Sequence, residues 1–391
     1  MRVKFSDRFE YPFFPNRLFE LASSAEGYVN LTISNPTTVG LPYEESLLDV
    51  FLERDNLVYR PDARGLERAR RAVAEYYNRR NLSVSADDVL ITAGTGDAYS
   101  YLFKMLCNAY DNVLVPQPGY PLFDHIAALE LVELRKYELD YSHSRGWRID
   151  FFDLEKKTDN RTRAIVLINP NNPTGSYVCR YEAESLARFA SERGIALIVD
   201  EVFFDFCIGF VADRASFVAS TDCLSFTLSG FSKILGLPQV KFSWIVTSGP
   251  SDCISEAKER LELISDTYLS ASVPVQNAAP ALFTAGHPIF GAIKERINEN
   301  YVFLDKLFAD SAVRLLRTYG GWSCVLELPR IMSEEEWTER LLLEAGVLVY
   351  PGYFFDFIRE AYIVISLLPE HPVLREGIGR FVDFCKKHGI M

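Results

Sequence analysis

Short apolar runs alternate along the chain with amphipathic stretches, and several of the runs end in polar or glycine-rich turns. Residues 164–168 (Ala-Ile-Val-Leu-Ile) and 195–199 (Ile-Ala-Leu-Ile-Val) lack the polar alternation of a half-exposed strand. Uninterrupted runs of this kind are typical of parallel strands that helices cover on both faces. Residues 88–92 and 224–228 form two further candidate strands. The pattern predicts an α/β fold with a mostly parallel sheet.

The length of the chain favours two domains. At 391 residues the chain exceeds what one hydrophobic core usually serves, so we expect a large domain and a smaller one. The large domain is expected at roughly 46–268, and the small domain at roughly 1–45 together with 277–391. The crossover between them is expected at about 269–276, where a proline interrupts regular structure.

Net charge and cysteine content narrow the class of protein. A formal charge of −12 without a basic stripe disfavours a nucleic-acid-binding surface. The seven cysteines include no close pair and the five histidines lie far apart, so neither a disulfide framework nor a metal site is indicated. The charged amino terminus does not resemble a signal peptide, and no apolar run is long enough to span a bilayer. We expect a cytoplasmic protein without membrane or nucleic-acid partners.

The segment with the clearest chemical signal is 230–238, Gly-Phe-Ser-Lys-Ile-Leu-Gly-Leu-Pro, directly after the apolar run 224–228. Its glycine and serine residues leave room for a large ligand beside Lys233. A lysine amine in a partly desolvated site loses its proton more readily, which suits Schiff-base chemistry. The alternative is an ordinary solvated lysine, and the rest of the sequence has to decide between the two.

Two other segments bring polar groups to the ends of predicted strands. The run 164–168 opens into 169–175, Asn-Pro-Asn-Asn-Pro-Thr-Gly, a rigid turn that presents amides. The run 195–199 leads into Asp200, at the carboxyl edge where open α/β sheets bind ligands. An amine, a carboxylate and an amide turn are therefore predicted at one edge of the sheet.

In order and spacing these motifs resemble the class I/II aminotransferases, the fold-type-I family that depends on pyridoxal phosphate. The Asn-Pro-Thr-Gly turn at 172–175, the strand-terminal Asp200 and the Ser232-Lys233 pair follow the family's order. The resemblance spans nearly the whole chain. It implies a seven-stranded, mostly parallel sheet in the large domain, a smaller α+β domain, and pyridoxal 5'-phosphate as cofactor.

The resemblance implies a role for each residue around the cofactor ring. Lys233 would form the Schiff base and later move a proton at the substrate carbon. Asp200 would pair with the pyridine nitrogen and keep it protonated. The amide of Asn172 would donate to the phenolate oxygen, and Tyr120, in the sequence Pro-Gly-Tyr-Pro, would stack on the ring.

The phosphate of the cofactor needs donors, and the resemblance assigns it several. Thr95 and Gly96 follow the strand at 88–92 and would offer amides at a helix amino terminus. Ser232 would add a hydroxyl. Tyr59 matches a tyrosine that reaches across a dimer interface to the partner's phosphate, which implies a homodimer with shared active sites. The alternatives are an ordinary strand-to-helix turn at 93–98 and a half-buried tyrosine on a loop.

Two departures from the family pattern concern the cofactor. Phe203 stands where the family usually has a tyrosine that donates to the phenolate oxygen. Without that donor, the cofactor's Schiff base should hold its proton to higher pH. Lys241 stands where the family usually has an arginine clamp for the phosphate. A lysine keeps the charge and loses the bidentate fork, unless it points to solvent from an edge strand.

A third departure concerns the substrate. The family's arginine for the substrate carboxylate precedes an Ile-Ser pair near the carboxyl end, and here Val364 precedes Ile365 and Ser366. An isopropyl group cannot bind a carboxylate, so either another cation replaces the arginine or the substrate is not a typical amino acid. Arg359 and Arg60 are nearby candidates in sequence, and both could equally be surface residues.

The sequence therefore predicts an aminotransferase that moves an amino group between an amino acid or other primary amine and a 2-oxo acid through Lys233. The runner-up is a pyridoxal-phosphate lyase acting by β-elimination or decarboxylation, because the same lysine and aspartate serve those reactions. A non-catalytic sensor that binds the cofactor is the third hypothesis, although the chain lacks the winged-helix segment to which such sensors are fused. The sequence does not specify the substrate side chain.

Overall fold

A computed structural model describes residues 3–8, 16–218 and 222–390. The first part of the predicted amino-terminal arm, at 1–2 and 9–15, lies outside the described residues. No helix of the described ranges combines the length and the apolar character needed to cross a membrane.

The strands of the described residues are short and mostly buried. In chain order they are β1 (Val29–Asn30), β2 (Val89–Thr92), β3 (Asn112–Gln117), β4 (Glu133–Ser142), β5 (Gly146–Ile149), β6 (Thr162–Ile168), β7 (Ala196–Asp200), β8 (Ser225–Gly230), β9 (Ser243–Ser248), β10 (Arg314–Leu315), β11 (Ser323–Glu327), β12 (Val347–Leu348), β13 (Tyr350–Pro351) and β14 (Tyr362–Ser366). The strands predicted at 88–92, 164–168, 195–199 and 224–228 are confirmed as β2, β6, β7 and β8.

Helices follow most of these strands and cover the sheet. In chain order they are α1 (Arg17–Ser24), α2 (Glu67–Asn78), α3 (Thr95–Leu106), α4 (Phe123–Glu130), α5 (Phe151–Lys157), α6 (Arg180–Arg193), α7 (Phe231–Ile234), α8 (Ser251–Tyr268), α9 (Val273–Ala285), α10 (His287–Phe308), α11 (Glu334–Ala345) and α12 (His371–Lys387). The helical pattern predicted after β2 is confirmed as α3.

The large sheet of the described residues has the strand order β2-β9-β8-β7-β6-β3-β4-β5. The pairs from β8 through β7, β6 and β3 to β4 are parallel. Strand β9 runs antiparallel to both of its neighbours, and β5 pairs antiparallel with β4. The predicted α/β fold is confirmed, and the hairpin between β4 and β5 adds an eighth strand to the seven expected. The carboxyl ends of β3, β6, β7 and β8 therefore meet at one edge.

A second sheet lies in the carboxyl-terminal part of the chain and has the order β10-β11-β14-β13. All of its pairs are antiparallel. Strand β1 pairs with β12, which ties residues near the amino terminus to this part of the chain. The predicted domain boundaries at 45/46, 268/269 and 276/277 stay a prediction. The residues of the small sheet that face the large one form the second wall of the site described below.

Candidate active site

Lys233 lies on the short helix α7, which begins directly after β8. The two elements join at Gly230, where a Cβ would collide with Ser243 Oγ and lie 2.9 Å from the Phe242 carbonyl oxygen. Only glycine fits this turn without displacing β9. Burial lowers the pKa of the Lys233 amine, and the negative charge of Asp200 opposes that shift. A larger fraction of the amine is therefore neutral at physiological pH than in a solvated lysine.

Asp200 is the last residue of β7 and is 9% exposed. Its Oδ2 accepts a hydrogen bond from the Tyr99 hydroxyl at 3.1 Å, and its Oδ1 accepts the Val202 amide at 3.1 Å. Burial raises the pKa of Asp200 to about 6, against these two hydrogen bonds and the nearby Lys233 charge. The carboxylate is therefore ionised near neutral pH and open to stabilisation by a cation.

Tyr99 is a partner of Asp200 that sequence analysis missed. It lies on α3, one turn beyond Thr95, and is 3% exposed. Burial and the charge of Asp200 raise the pKa of its hydroxyl well above the ordinary value, so it stays a donor. A buried tyrosine on an amphipathic helix gives no sequence signal for its partner, because that contact joins residues far apart along the chain.

Two aromatic rings flank the Lys233 amine. Its Nζ lies 5.5 Å from the centroid of the Phe203 ring and 5.0 Å from that of the Trp322 ring. The two rings contact each other edge to face, at a centroid distance of 5.3 Å. The Trp322 Nε1 is buried and has no hydrogen-bond partner among the described residues. Sequence analysis missed Trp322, which arrives at the site from the small sheet.

The turn after β6 is held by two of its asparagines and leaves the third free. Asn169 donates its Nδ2 to the Ala215 carbonyl at 2.7 Å. Asn171 donates to the Pro118 carbonyl at 3.3 Å. No described residue hydrogen-bonds to the side chain of Asn172. The structure thus fixes the turn rigidly beside the segment that carries Tyr120, and its one free amide belongs to the residue that the sequence singled out.

The amino terminus of α3 offers free amides and open space. Helix α3 has 12 residues, and its N-cap residue Gly94 supplies no side chain to satisfy the amides of Thr95 and Gly96. A Cβ placed on Gly96 would meet nothing within 4 Å. The Lys241 Nζ lies 3.4 Å from the position that a Cβ on Gly94 would take. The structure brings this lysine to the helix terminus, where an anion would receive amide hydrogens and a positive charge.

The three remaining predicted site residues, Tyr120, Ser232 and Tyr59, lie at different distances from Lys233 and Asp200. Tyr120 is close enough to Asp200 for the negative charge of the carboxylate to add to burial in raising the tyrosine's pKa. Ser232 is half-buried directly before Lys233. Tyr59 is 77% exposed and lines a shallow cavity with Ser265 and other residues of the α8–α9 segment. Within one chain the structure therefore does not bring Tyr59 to the others.

Val364 lies in the middle of β14 and is 1% exposed. It packs in an apolar cluster with Trp147, Leu316, Val325 and Phe355. Arg359 is exposed on the segment before β14, and Arg60 is exposed beside Asp55. Neither arginine acts on the pKa of Lys233, which responds to burial and to Asp200. The structure thus places no arginine beside the amine among the described residues of one chain.

The comparisons with known proteins show the family through a family model, and the fold through a solved structure. The family model for aminotransferase class I and II matches residues 29–378. The glutamate-pyruvate aminotransferase of Haemophilus influenzae is 26% identical over 92% of this chain and 91% of its own length. The S-alkyl-thiohydroximate lyase of Arabidopsis thaliana is 29% identical over 88% of this chain and 76% of its own length. An alanine aminotransferase structure from Pyrococcus furiosus shares the fold with a TM-score of 0.85, at 23% identity over 95% of each chain.

Proposed function

The chain belongs to the class I and II aminotransferase family, and on that premise we propose that Lys233 and Asp200 are its catalytic residues, acting with pyridoxal 5'-phosphate. The proposed donor is an amino acid or another primary amine, and the proposed acceptor is a 2-oxo acid. One observation carries the assignment of residues: Asp200, a buried carboxylate of raised pKa, ends one parallel strand, and Lys233, an amine of lowered pKa, follows the carboxyl end of the adjacent strand.

The described residues fit this cofactor at both of its ends. The amides of Thr95 and Gly96, with Lys241 and the Ser232 hydroxyl, would hold the phosphate. Lys233 would hold the aldehyde end. The open space around Gly96 fits an anion better than it fits a packed core. Hydrogen-bond donors and a positive charge at one end, with a single carboxylate at the other, match a phosphate ester that carries a cationic ring.

Three residues would surround the ring between these ends. Asp200 would pair with the ring nitrogen, Asn172 would donate its free amide to the phenolate oxygen, and Tyr120 would cover one face. Pyridoxal phosphate, when bound, supplies an electron-accepting ring that stabilises negative charge on the substrate carbon. Phe203 contributes an apolar edge at this position and no donor.

Side chains of the protein transfer the proton, stabilise positive charge and exclude water. The Lys233 Nζ, neutral in part because it is buried, acts as the base that takes the proton from the substrate carbon and later returns one. The ionised Asp200 carboxylate holds positive charge in place. Phe203 and Trp322 cover the amine and keep bulk water from it.

Amine and acceptor panels test the proposal directly. Purified protein loaded with pyridoxal phosphate is mixed with single amines, with and without pyruvate or 2-oxoglutarate, and products are separated by chromatography. Transfer predicts one new amino acid for each ketone or aldehyde formed from the donor. A panel in which every donor leaves the acceptor unchanged would contradict the proposal.

A lyase is the second candidate, and one observation favours it. A relative at 29% identity carries the name S-alkyl-thiohydroximate lyase. The same lysine and aspartate serve β-elimination or decarboxylation when another bond of the substrate is aligned with the ring. Release of ammonia or carbon dioxide without a new amino acid, in the same reactions, would identify a lyase.

We also propose a homodimer with shared active sites. The segment that leads to Tyr59 exposes large apolar side chains, with Leu52 at 81%, Leu57 at 89% and Tyr59 at 77% exposure. An exposed apolar stretch of this kind is typical of an interface. A second chain covering it would explain why Tyr59 stands apart from the site of its own protomer. Light scattering after gel filtration tests the dimer, and Tyr59→Phe tests the shared site through the cofactor's dissociation constant.

A cytoplasmic location is proposed on the state of the cysteines. No disulfide joins any of the seven cysteines within the described residues, and five of the seven are buried. Buried cysteines outside disulfides are usual in a reducing compartment. Fractionation of cells that express the chain from its own promoter tests the location.

A further inference from the structure

Val364 stands where the family has an arginine, and the small sheet places a tyrosine beside it. Strand β13 pairs antiparallel with β14, and Tyr350 is the direct cross-strand partner of Val364. Direct partners in an antiparallel pair point to the same face of the sheet, with Cβ atoms about 5 Å apart. Tyr350 is half-buried, and no described residue hydrogen-bonds to its hydroxyl. A phenol with free donor and acceptor capacity thus stands next to the valine.

The position of Tyr350 connects it to the site. Its ring packs edge to face on Phe355, at a centroid distance of 5.9 Å. The Phe355 carbonyl in turn accepts a hydrogen bond at 3.0 Å from the amide of Gly119, the residue before Tyr120. Burial, the charge of Asp200 and the proximity of Tyr350 raise the pKa of the Tyr120 hydroxyl. Tyr350 therefore borders the same space as Tyr120 and Asp200.

The side chains that pack around Tyr350 are aromatic, and no lysine or arginine lies over its ring among the described residues. Phe19, Phe354 and Phe355 pack around its ring. Val364 is closed into its apolar cluster on the same face. A carboxylate placed there would exchange its water shell for a single neutral hydrogen bond, which is a poor exchange. An uncharged hydroxyl or carbonyl loses much less on entering and pairs fully with a phenol.

We propose that Tyr350 is the specificity-determining residue of the substrate site, and that its hydroxyl binds an uncharged hydrogen-bonding group on the reacting carbon. The substrate class is primary amines with a hydroxymethyl or similar neutral group beside the amine, of which amino alcohols are the simplest. The inference rests on the proposed amino transfer and narrows its donor. An amino acid with the same side chain is the poorer donor because its carboxylate would pair with a neutral phenol and no guanidinium at this position.

Matched pairs of donors test the substrate class. The loaded enzyme is mixed with phenylalaninol or phenylalanine, and with alaninol or alanine, and the change in cofactor absorbance is followed in single turnovers. Within each pair only the group beside the amine differs. We expect the rate constant per molar donor to be at least about tenfold higher for the alcohol than for the amino acid, because one unpaired buried polar group costs about that much. Faster reaction of the amino acid in both pairs would overturn the inference and leave amino transfer intact.

Variants at position 350 test the residue. Tyr350→Phe keeps the ring and should lower kcat/KM for the alcohols about tenfold with little change for the amino acids. Tyr350→Arg restores a guanidinium beside Val364 and should reverse the preference within each pair. Tyr353→Phe is the matched control, because the Tyr353 hydroxyl contacts Asn16 and lies on the exposed side of the same segment. An unchanged alcohol-to-acid ratio in both variants at position 350 would contradict the assignment.

A binding measurement separates specificity from turnover. Calorimetry with 3-phenylpropanol and 3-phenylpropanoate, which have no amine to react, should show tighter binding of the alcohol to the loaded parent and no preference in Tyr350→Phe. Tighter binding of the acid to the parent would overturn the inference. If no amine of any pair changes the cofactor absorbance, the proposed amino transfer itself fails, and that result is distinct from a reversed preference.

Discussion

The two walls of the site carry different kinds of side chain. On the large-sheet wall, Asp200 ends one parallel strand, and Asn172 and Lys233 follow the carboxyl ends of its two neighbours. Hydrogen bonds from the Tyr99 hydroxyl and the Val202 amide hold Asp200. On the opposite wall, the small sheet and its flanking segments contribute Trp322 and Tyr350, surrounded by further aromatic rings. One wall carries charge and the other carries ring faces and single hydroxyl or indole donors.

This contrast separates the chemistry from its selectivity. The charged wall carries Lys233, Asp200 and Asn172, the three residue types that the resemblance assigns to the reacting end and the ring, so the reaction is expected to follow the family. The aromatic wall has Val364 where the family has an arginine. Phe203, which contacts Trp322 of this wall, stands where the family has a tyrosine. On the proposed assignment, the chain keeps the catalytic residues of the family and is expected to accept a different substrate.

The largest effect should come from the charged wall. Lys233→Met removes the base and the attachment point, and we expect single-turnover reaction with any active amine to fall roughly 10³-fold or more. Lys156→Met, at an exposed position on α5, serves as the control and should react like the parent. A Lys233→Met protein that retains a tenth of the parent rate would place the base elsewhere.

Asp200→Asn should cost about 10²-fold in the same assay, because a neutral amide cannot hold positive charge on the ring nitrogen. The variant keeps an acceptor for the Val202 amide and a group that can pair with the Tyr99 hydroxyl, so the local fold should survive. Asp140→Asn, at an exposed position on β4, is the matched control. Equal loss in both variants would argue against a specific role.

The same variant has an opposite effect on the stability of the cofactor-free protein. The pKa of Asp200 in the folded state, about 6, lies above the ordinary 3.8, so the folded state favours the protonated acid. As pH rises through 4 to 6 and beyond, ionisation should destabilise the parent by up to about 3 kcal/mol. Asp200→Asn does not ionise and should therefore be the more stable protein at pH 8, with no such advantage at pH 4, in urea unfolding. Equal free energies of unfolding at pH 8 would contradict the raised pKa.

A smaller effect is expected where the two walls meet. Phe203→Tyr adds a hydroxyl donor beside Lys233, which should stabilise the cofactor's phenolate oxygen. The pH midpoint of the visible absorbance should then fall by about one unit relative to the parent. Phe204→Tyr, at the neighbouring position, is the control. An unchanged midpoint in Phe203→Tyr would show that the phenylalanine does not face the phenolate.

The smallest effect concerns the phosphate end of the charged wall. Lys241→Ala should weaken cofactor binding several-fold in low salt and less in high salt, because a point charge at a partly exposed site is screened. Lys241→Arg should bind the cofactor as tightly as the parent or more tightly. Equilibrium dialysis at two salt concentrations measures both. Identical affinity of the parent and Lys241→Ala at low salt would place this lysine in solvent.

The residues of the charged wall could be predicted from the sequence because they lie at or just beyond the ends of strands that are easy to recognise. The runs that became β6, β7 and β8 are continuously apolar, and the residue after such a strand must lie at the sheet edge. Lys233, Asp200 and the turn at 169–175 could therefore be placed without any knowledge of long-range contacts. The hairpin strand β5 was not anticipated, because the polar stretch around it lacks an apolar run.

The aromatic wall depends on contacts between distant parts of the chain. Trp322 reaches Lys233, and Tyr350 reaches Val364, only through the packing and register of the small sheet. Tyr99 reaches Asp200 across about a hundred residues in the same way. No local pattern distinguishes these side chains from ordinary core aromatics, so the sequence left the substrate side of the site open.

The fluorescence of the Trp322 indole should report whether the cofactor is bound. Its ring centroid lies 5.0 Å from the Lys233 Nζ, far inside the range over which an excited indole passes its energy to a chromophore that absorbs at longer wavelength. Each molecule loaded with cofactor should therefore emit less ultraviolet fluorescence than an empty one. Occupancy could then be read in a cuvette or a cell lysate, without adding a label to the chain.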